Sequence, residues 1–167
     1  MLGFQIEERF EGSYYLLSDP FVDRIVSLSM RVSVDGVRRA LRERVATVNG
    51  TIFAEGLAEG GGEGSALSGT LRFRLFDEKR IPYDLFFNAD DGCTYRLRGQ
   101  RDFFIHDAAR SLTVLPASLY DTKGDEMGRA VLRFDPKIEL VPTLKSFRPR
   151  LRMRFLGSPP HATAKLD

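Results

Sequence analysis

Val26-Ser27-Leu28-Ser29-Met30-Arg31-Val32-Ser33-Val34 is the stretch on which the fold is decided. Its apolar residues, Val26, Leu28, Met30, Val32 and Val34, share one parity; Ser27, Ser29, Arg31 and Ser33 share the other. Side chains of a strand point alternately to the two faces of its sheet, so a period of two predicts a strand with one buried face and one wet face. Asp35-Gly36 ends it.

The same alternation recurs along the chain. A strand is expected over about 47–57, another over 67–76, where Leu71, Phe73 and Leu75 oppose Arg72 and Arg74. Tyr83, Leu85 and Phe87 share a parity over 81–89, and beyond 94 Tyr95, Leu97 and Gly99 alternate with Thr94, Arg96 and Arg98. Further strands fit 102–106, 111–119, 128–134 and 148–156. Asp90-Asp91-Gly92 is a hairpin turn, because glycine supplies the positive φ that tight turns need. Glu59-Gly60-Gly61-Gly62-Glu63-Gly64 reads as a flexible connection. Between 37 and 46 the period changes: Val37, Leu41 and Val45 recur every four residues among Arg38, Arg39, Arg42 and Arg44, which predicts one short helix with Asp35 as its cap.

Many short strands at regular spacing, mostly with short joins, predict an all-β fold. An antiparallel up-and-down barrel is favoured over a sandwich, because closure removes exposed edges. At 167 residues with 43% hydrophobic and 29% charged content, the chain has the size and composition of one globular domain. That domain is expected over 1–157, with 158–167, which contains Pro159-Pro160, as a flexible tail.

Charge is unevenly spread. Residues 1–136 carry a net −3, residues 137–167 a net +5. Arg150, Arg152 and Arg154 lie on one face of the expected last strand, with Leu151, Met153 and Phe155 on the other. This is a candidate patch for an anionic surface, whether lipid or a protein partner. The balanced total of +2 argues against a dedicated nucleic-acid binder.

Chemistry-bearing motifs are scarce. The glycine run at 60–64 lacks the spacing of a dinucleotide loop, and no phosphate-binding GxxxxGK[ST] or nucleophilic GxSxG occurs. Two histidines and Cys93 are too few for a zinc site, so no metal and no cofactor are expected. One cysteine excludes an internal disulfide. The opening residues lack a basic and an apolar leader region, which predicts a cytoplasmic protein. Asp84, Tyr95, Arg96 and His106 are the groups that general acid–base chemistry would need to bring together.

Residues 81–99, Ile-Pro-Tyr-Asp-Leu-Phe-Phe-Asn-Ala-Asp-Asp-Gly-Cys-Thr-Tyr-Arg-Leu-Arg-Gly, resemble a segment of the lipocalin-like accessory β domain that accompanies some bacterial oxidoreductases of the glucose–methanol–choline, cholesterol-oxidase-like type. Asn49-Gly50-Thr51-Ile52, Gly69-Thr70-Leu71 and Asp121-Thr122 fall in a similar order, and the resemblance covers about residues 8–148. It implies a β-barrel, a hydrophobic or lipid-like ligand, and an oxidoreductase as a protein partner. The flavin-binding half of those enzymes is absent from this sequence, so no catalytic residue carries over.

Three functions follow as expectations. The first is a non-catalytic binding module holding a hydrophobic or lipid-like small molecule in the barrel lumen, lined by Phe73, Tyr83, Leu85, Phe87, Tyr95 and Leu97. The second is a small lipocalin-like enzyme, of isomerase or cyclase type, on a hydrophobic substrate. The third is an accessory interaction domain that docks to an enzyme or an anionic surface, including peripheral contact with a membrane, through the basic C-terminal strand.

Overall fold

Within the described residues the alternating segments form strands, and they close on one another. In the computed structural model, which describes residues 4–34, 42–73, 79–102 and 113–134, eight antiparallel strands make a closed barrel in sequence order. They are β1 (Phe4–Leu16), β2 (Asp19–Val34), β3 (Val45–Ala54), β4 (Ser65–Arg72), β5 (Arg80–Asn88), β6 (Thr94–Asp102), β7 (Val114–Tyr120) and β8 (Glu126–Arg133). The barrel shuts where Glu11–Leu16 of β1 pairs with Arg133–Gly128 of β8. An up-and-down order needs only hairpin connections, which agrees with the short joins in the sequence.

One parity fills the interior. Val26, Leu28, Met30, Val32 and Val34 of β2 are at most 3% exposed. They pack in one cluster with Phe10 and Tyr14 of β1, Ile52 of β3, Tyr83, Leu85 and Phe87 of β5, and Leu97 of β6. An eight-stranded barrel has an interior just wide enough for such side chains. Two glycines show how tightly the wall is bent: a Cβ on Gly12 would lie 1.9 Å from the Val131 carbonyl oxygen, and one on Gly50 2.0 Å from that of Ser29. Only a residue without Cβ lets neighbouring backbones approach so closely.

Four connections lie at one end, three of them short and the fourth, β3–β4, of ten residues. Asp90-Asp91-Gly92 turns with Gly92 at φ +82°, Gly92 N donating to Ala89 O and Ala89 N to Cys93 O. Asp121–Asp125 repeats this pattern around Gly124 at φ +87°. The glycine run forms a 3-10 turn, Gly60–Gly62, rather than the flexible connection its composition suggests. Asp90 explains the order: its carboxylate accepts from Glu59 N at 2.8 Å and Gly60 N at 3.0 Å, pinning one loop to the other.

Other expectations are adjusted. β1 was not apparent in the sequence, since Glu8 and Gly12 interrupt its inward parity. β2 begins at Asp19, ahead of the clean alternation. The strands expected over 94–99 and 102–106 start as one continuous strand that runs to Asp102. Of the short helix expected over 37–46, residues 37–41 lie outside the described residues. Arg42 and Glu43 are helical, but Val45 and Ala46 already belong to β3, where pairing with Arg72 and Leu71 replaces helical bonds. The expected strand at 148–156 and the tail at 158–167 also lie outside the described residues. No helix among the described residues is long and apolar enough to cross a membrane.

Candidate functional site

The outward parity of β4–β8 builds the site. Neighbouring strands place Thr70 beside Asp84, Asp84 beside Arg98, Arg98 beside Ser118, and Ser118 beside Arg129, with Tyr15 of β1 next in the row. Along this wall lies a wide, half-open groove of about 940 Å³, in which Arg72, Arg80, Arg96, Arg98 and Arg129 stand with two carboxylates, Asp84 and Glu126. Pro82, Pro116 and Val131 supply apolar walls, and Tyr15 and Tyr120 aromatic ones.

The groove has a local cause. The β6–β7 ladder stops at Gly99↔Ala117. The next position opposite Gln100 is Pro116, which has no N–H to donate. Gly99 then lets the strands crowd at that point: a Cβ there would meet the Pro116 carbonyl oxygen at 2.8 Å.

Both carboxylates of the groove are engaged. Arg96 grips Asp84 through two hydrogen bonds, Nε to Oδ1 and a terminal nitrogen to Oδ2, each 2.6 Å, and its guanidinium lies 5.2 Å above the Phe86 ring. Glu126 accepts from Ser118 Oγ at 2.8 Å and Arg129 Nε at 3.0 Å. The Arg96 hydrogen bonds hold the Asp84 carboxyl below its ordinary range, and the charges of Arg98 and Arg72 add to the effect. Arg80 lies 3.6 Å from Asp102. Arg72 and Arg98 make no ion pair of their own among the described residues. They leave the groove with uncommitted positive charge.

A second polar cluster lies inside the barrel, toward the end away from the short turns. Arg101 is 4% exposed and is the one charged residue buried among the described residues. It donates to Glu8 at 2.7 Å and to the Tyr83 hydroxyl, which itself donates to Glu8 at 3.1 Å. The guanidinium faces the rings of Phe10 and Tyr83, each 5.1 Å away. Burial and the Glu8 charge push the Tyr83 hydroxyl far above its ordinary pKa, so it stays a donor. Glu8 and the Tyr83 hydroxyl, both neighbouring side chains, hold this guanidinium, which is the arrangement of a structural ion pair.

The expected lumen residues lie on the inner face. Tyr83, Leu85, Phe87 and Leu97 are at most 1% exposed. Phe73 and Tyr95 are half-buried and pack against the core. The Tyr95 hydroxyl donates to Asp91 at 2.7 Å, and that bond pushes its pKa up to about 12. Of the described groups considered for acid–base chemistry, Asp84 and Arg96 meet. Tyr95 faces the other side of the wall, and His106 lies outside the described residues, as do Arg150, Arg152 and Arg154. Cys93 is exposed and makes no disulfide. No cluster of metal-ligating residues occurs among the described residues.

Parity in the sequence puts Arg72 and Arg98 on the face opposite Leu71 and Leu97, but neither which face is outside nor their convergence across β4–β6 follows from it. Glu8 and Arg101 carry a weaker signal in the sequence, a charged residue on an otherwise apolar parity. Compared with known proteins, the chain matches no protein-family model and no curated protein sequence.

Proposed function

We propose that this chain is a non-catalytic binding module that takes up an acidic, partly apolar segment of a protein partner in the groove on its outer wall. One observation carries this reading: Arg72 and Arg98 flank an already neutralised Asp84–Arg96 pair, in a concavity of about 940 Å³ with aromatic and proline walls. Guanidinium groups are suited to carboxylates, because their planar donors match two oxygens at once. The apolar walls favour a partner that brings apolar groups beside its charge. A concave site suits a protruding segment better than the plane of a bilayer.

Other features support a binding role. Asp84 is held ionised by a bidentate guanidinium, which makes it a weak base. Tyr83, Leu85, Phe87 and Leu97 are packed among other side chains, which favours recognition on the outer wall over the lumen. The resemblance of 81–99 to an accessory domain fits a docking role, and that stretch supplies Pro82, Asp84, Arg96 and Arg98 to the groove.

The test is a titration with a synthetic peptide rich in Asp and Glu around one Phe, followed by calorimetry. Binding is expected, weakened by salt because exposed charge is screened, and lost when Arg72→Ser and Arg98→Ser are combined. Equal binding by that double variant would remove the groove from the account.

A further inference from the structure

The β1–β2 hairpin carries the most exposed apolar surface among the described residues. Phe21 is 97% exposed, Ile25 62%, Val22 44% and Leu17 43%. Single exposed apolar residues are ordinary, but Phe21 and Ile25 share one parity of β2 and together present an exposed apolar face of the kind that marks a contact surface. The hairpin projects beyond the wall, because the β2–β3 ladder begins only at Val26↔Ala54 and leaves Asp19–Arg24 without a partner in β3.

Charge surrounds this tip. The hairpin tip, 17–25, and the three connections at the same end, residues 55–64, 89–93 and 121–125, hold nine carboxylates and two cations. The tip is thus an apolar knuckle with an acidic rim. The groove is a basic concavity with apolar walls. Each surface has the shape and charge the other lacks, and both belong to this chain.

We infer that the occupant of the groove is the β1–β2 tip of a second copy of this chain. The inference rests on the groove reading above and names its partner. Phe21 enters between the proline and tyrosine walls, while the acidic rim faces Arg72 and Arg98. The tip leaves one end of the barrel and the groove lies along its side. Tyr15 and Glu126 bring the groove close to the tip, but Arg72 ends β4 at the opposite end of the barrel, beyond the reach of the chain's own tip. The contact is therefore head to tail, and repetition gives open chains rather than a closed pair.

A heterologous contact makes a sharp prediction. Sedimentation velocity of the full chain should show association that grows with concentration and falls with salt. Phe21→Ser, with an intact groove, should stay monomeric. Arg72→Glu with Arg98→Glu, with an intact tip, should also stay monomeric. Mixing the two should restore one interface and give a dimer that grows no further. Thermal unfolding would check that each variant folds, and Arg72→Ser with Arg98→Ser replaces the charge reversal if it does not.

The inference is overturned if the wild-type chain stays monomeric into the millimolar range, or if Phe21→Ser associates as the wild type does. It is equally overturned if the arginine variant self-associates unchanged, since that would mean tip-to-tip contact. If the chain is monomeric but still binds the acidic peptide in an Arg72- and Arg98-dependent way, the groove reading stands and only the second copy is wrong. If peptide binding also fails, both fall.

Discussion

Strand β6 carries arginines on both of its faces, and they live in opposite surroundings. Arg101 points inward, 4% exposed, between Glu8, Tyr83 and Phe10. Arg96 points outward with its side chain 37% exposed, paired to Asp84 and stacked on Phe86. Each has one carboxylate and at least one aromatic ring. What differs is water, and water decides the role. The inner pair is shut off and has spent its charge on its neighbours, so it serves the fold. The outer pair is wet and lies beside Arg72 and Arg98, so its surroundings retain charge for a partner.

The largest expected effect comes from breaking the inner pair. Arg101→Ala leaves the Glu8 carboxylate half-enclosed without its cation, and should cost about 3–5 kcal/mol in denaturant unfolding. Replacing both members, Glu8→Leu with Arg101→Met, should recover most of that loss, because a buried ion pair contributes little over a well-packed apolar pair. If the double replacement is as unstable as the single one, the pair is not a closed structural unit. By contrast Asp84→Ala, on the wet side, should cost no more than about 1 kcal/mol.

Gly50→Ala probes the wall that holds both faces in place. The new Cβ would sit 2.0 Å from the Ser29 oxygen, so β2 and β3 must part, at about 1–3 kcal/mol. An unchanged midpoint would mean that the wall is less tightly bent than described.

The inner face also predicts a response to base. The Tyr83 pKa is raised in the fold, by burial first and by Glu8 second. A raised pKa contributes stability that is fully present below the unfolded value, about 10 for tyrosine, and lost as pH rises toward the folded one. Thermal unfolding of the wild type should therefore decline above that pH, and Tyr83→Phe should decline less steeply. Identical slopes would show that Tyr83 is not held neutral by its surroundings.

The smallest effect on stability, and the largest on recognition, belongs to the outer face. Arg72→Ser with Arg98→Ser should shift stability by no more than about 0.5 kcal/mol, while weakening peptide binding at least about tenfold. A large loss of stability would place these arginines with Arg101 as structural.

Much of this is legible in the sequence, for a physical reason. Period two identifies strands, so Val26–Val34 and Ile81–Phe87 announced themselves. Asp90-Asp91-Gly92 announced its turn, because the positive φ at Gly92 restricts which residues fit. Other features depend on partners distant in sequence. β1 escaped notice because Glu8 breaks its apolar parity, and Glu8 is tolerated there only because Arg101, far along the chain, neutralises it. The glycine run looked loose because its anchor, Asp90, sits on another hairpin. The groove depends on register: parity puts each of Arg72, Asp84 and Arg98 opposite the apolar residues of its strand, but only the β4–β5–β6 ladders set them side by side.

The most direct test of the central claim, that recognition belongs to the outer wall and the inner face to the fold, is backbone amide NMR of the full chain during separate titrations with the acidic peptide and a long-chain fatty acid. The account predicts that the peptide shifts resonances of Arg72, Asp84, Arg98, Ser118 and Arg129, and that the fatty acid leaves Tyr83, Leu85, Phe87 and Leu97 unmoved. Shifts of those four inner residues with the fatty acid, and none on the outer wall with the peptide, would contradict it and return the function to the lumen.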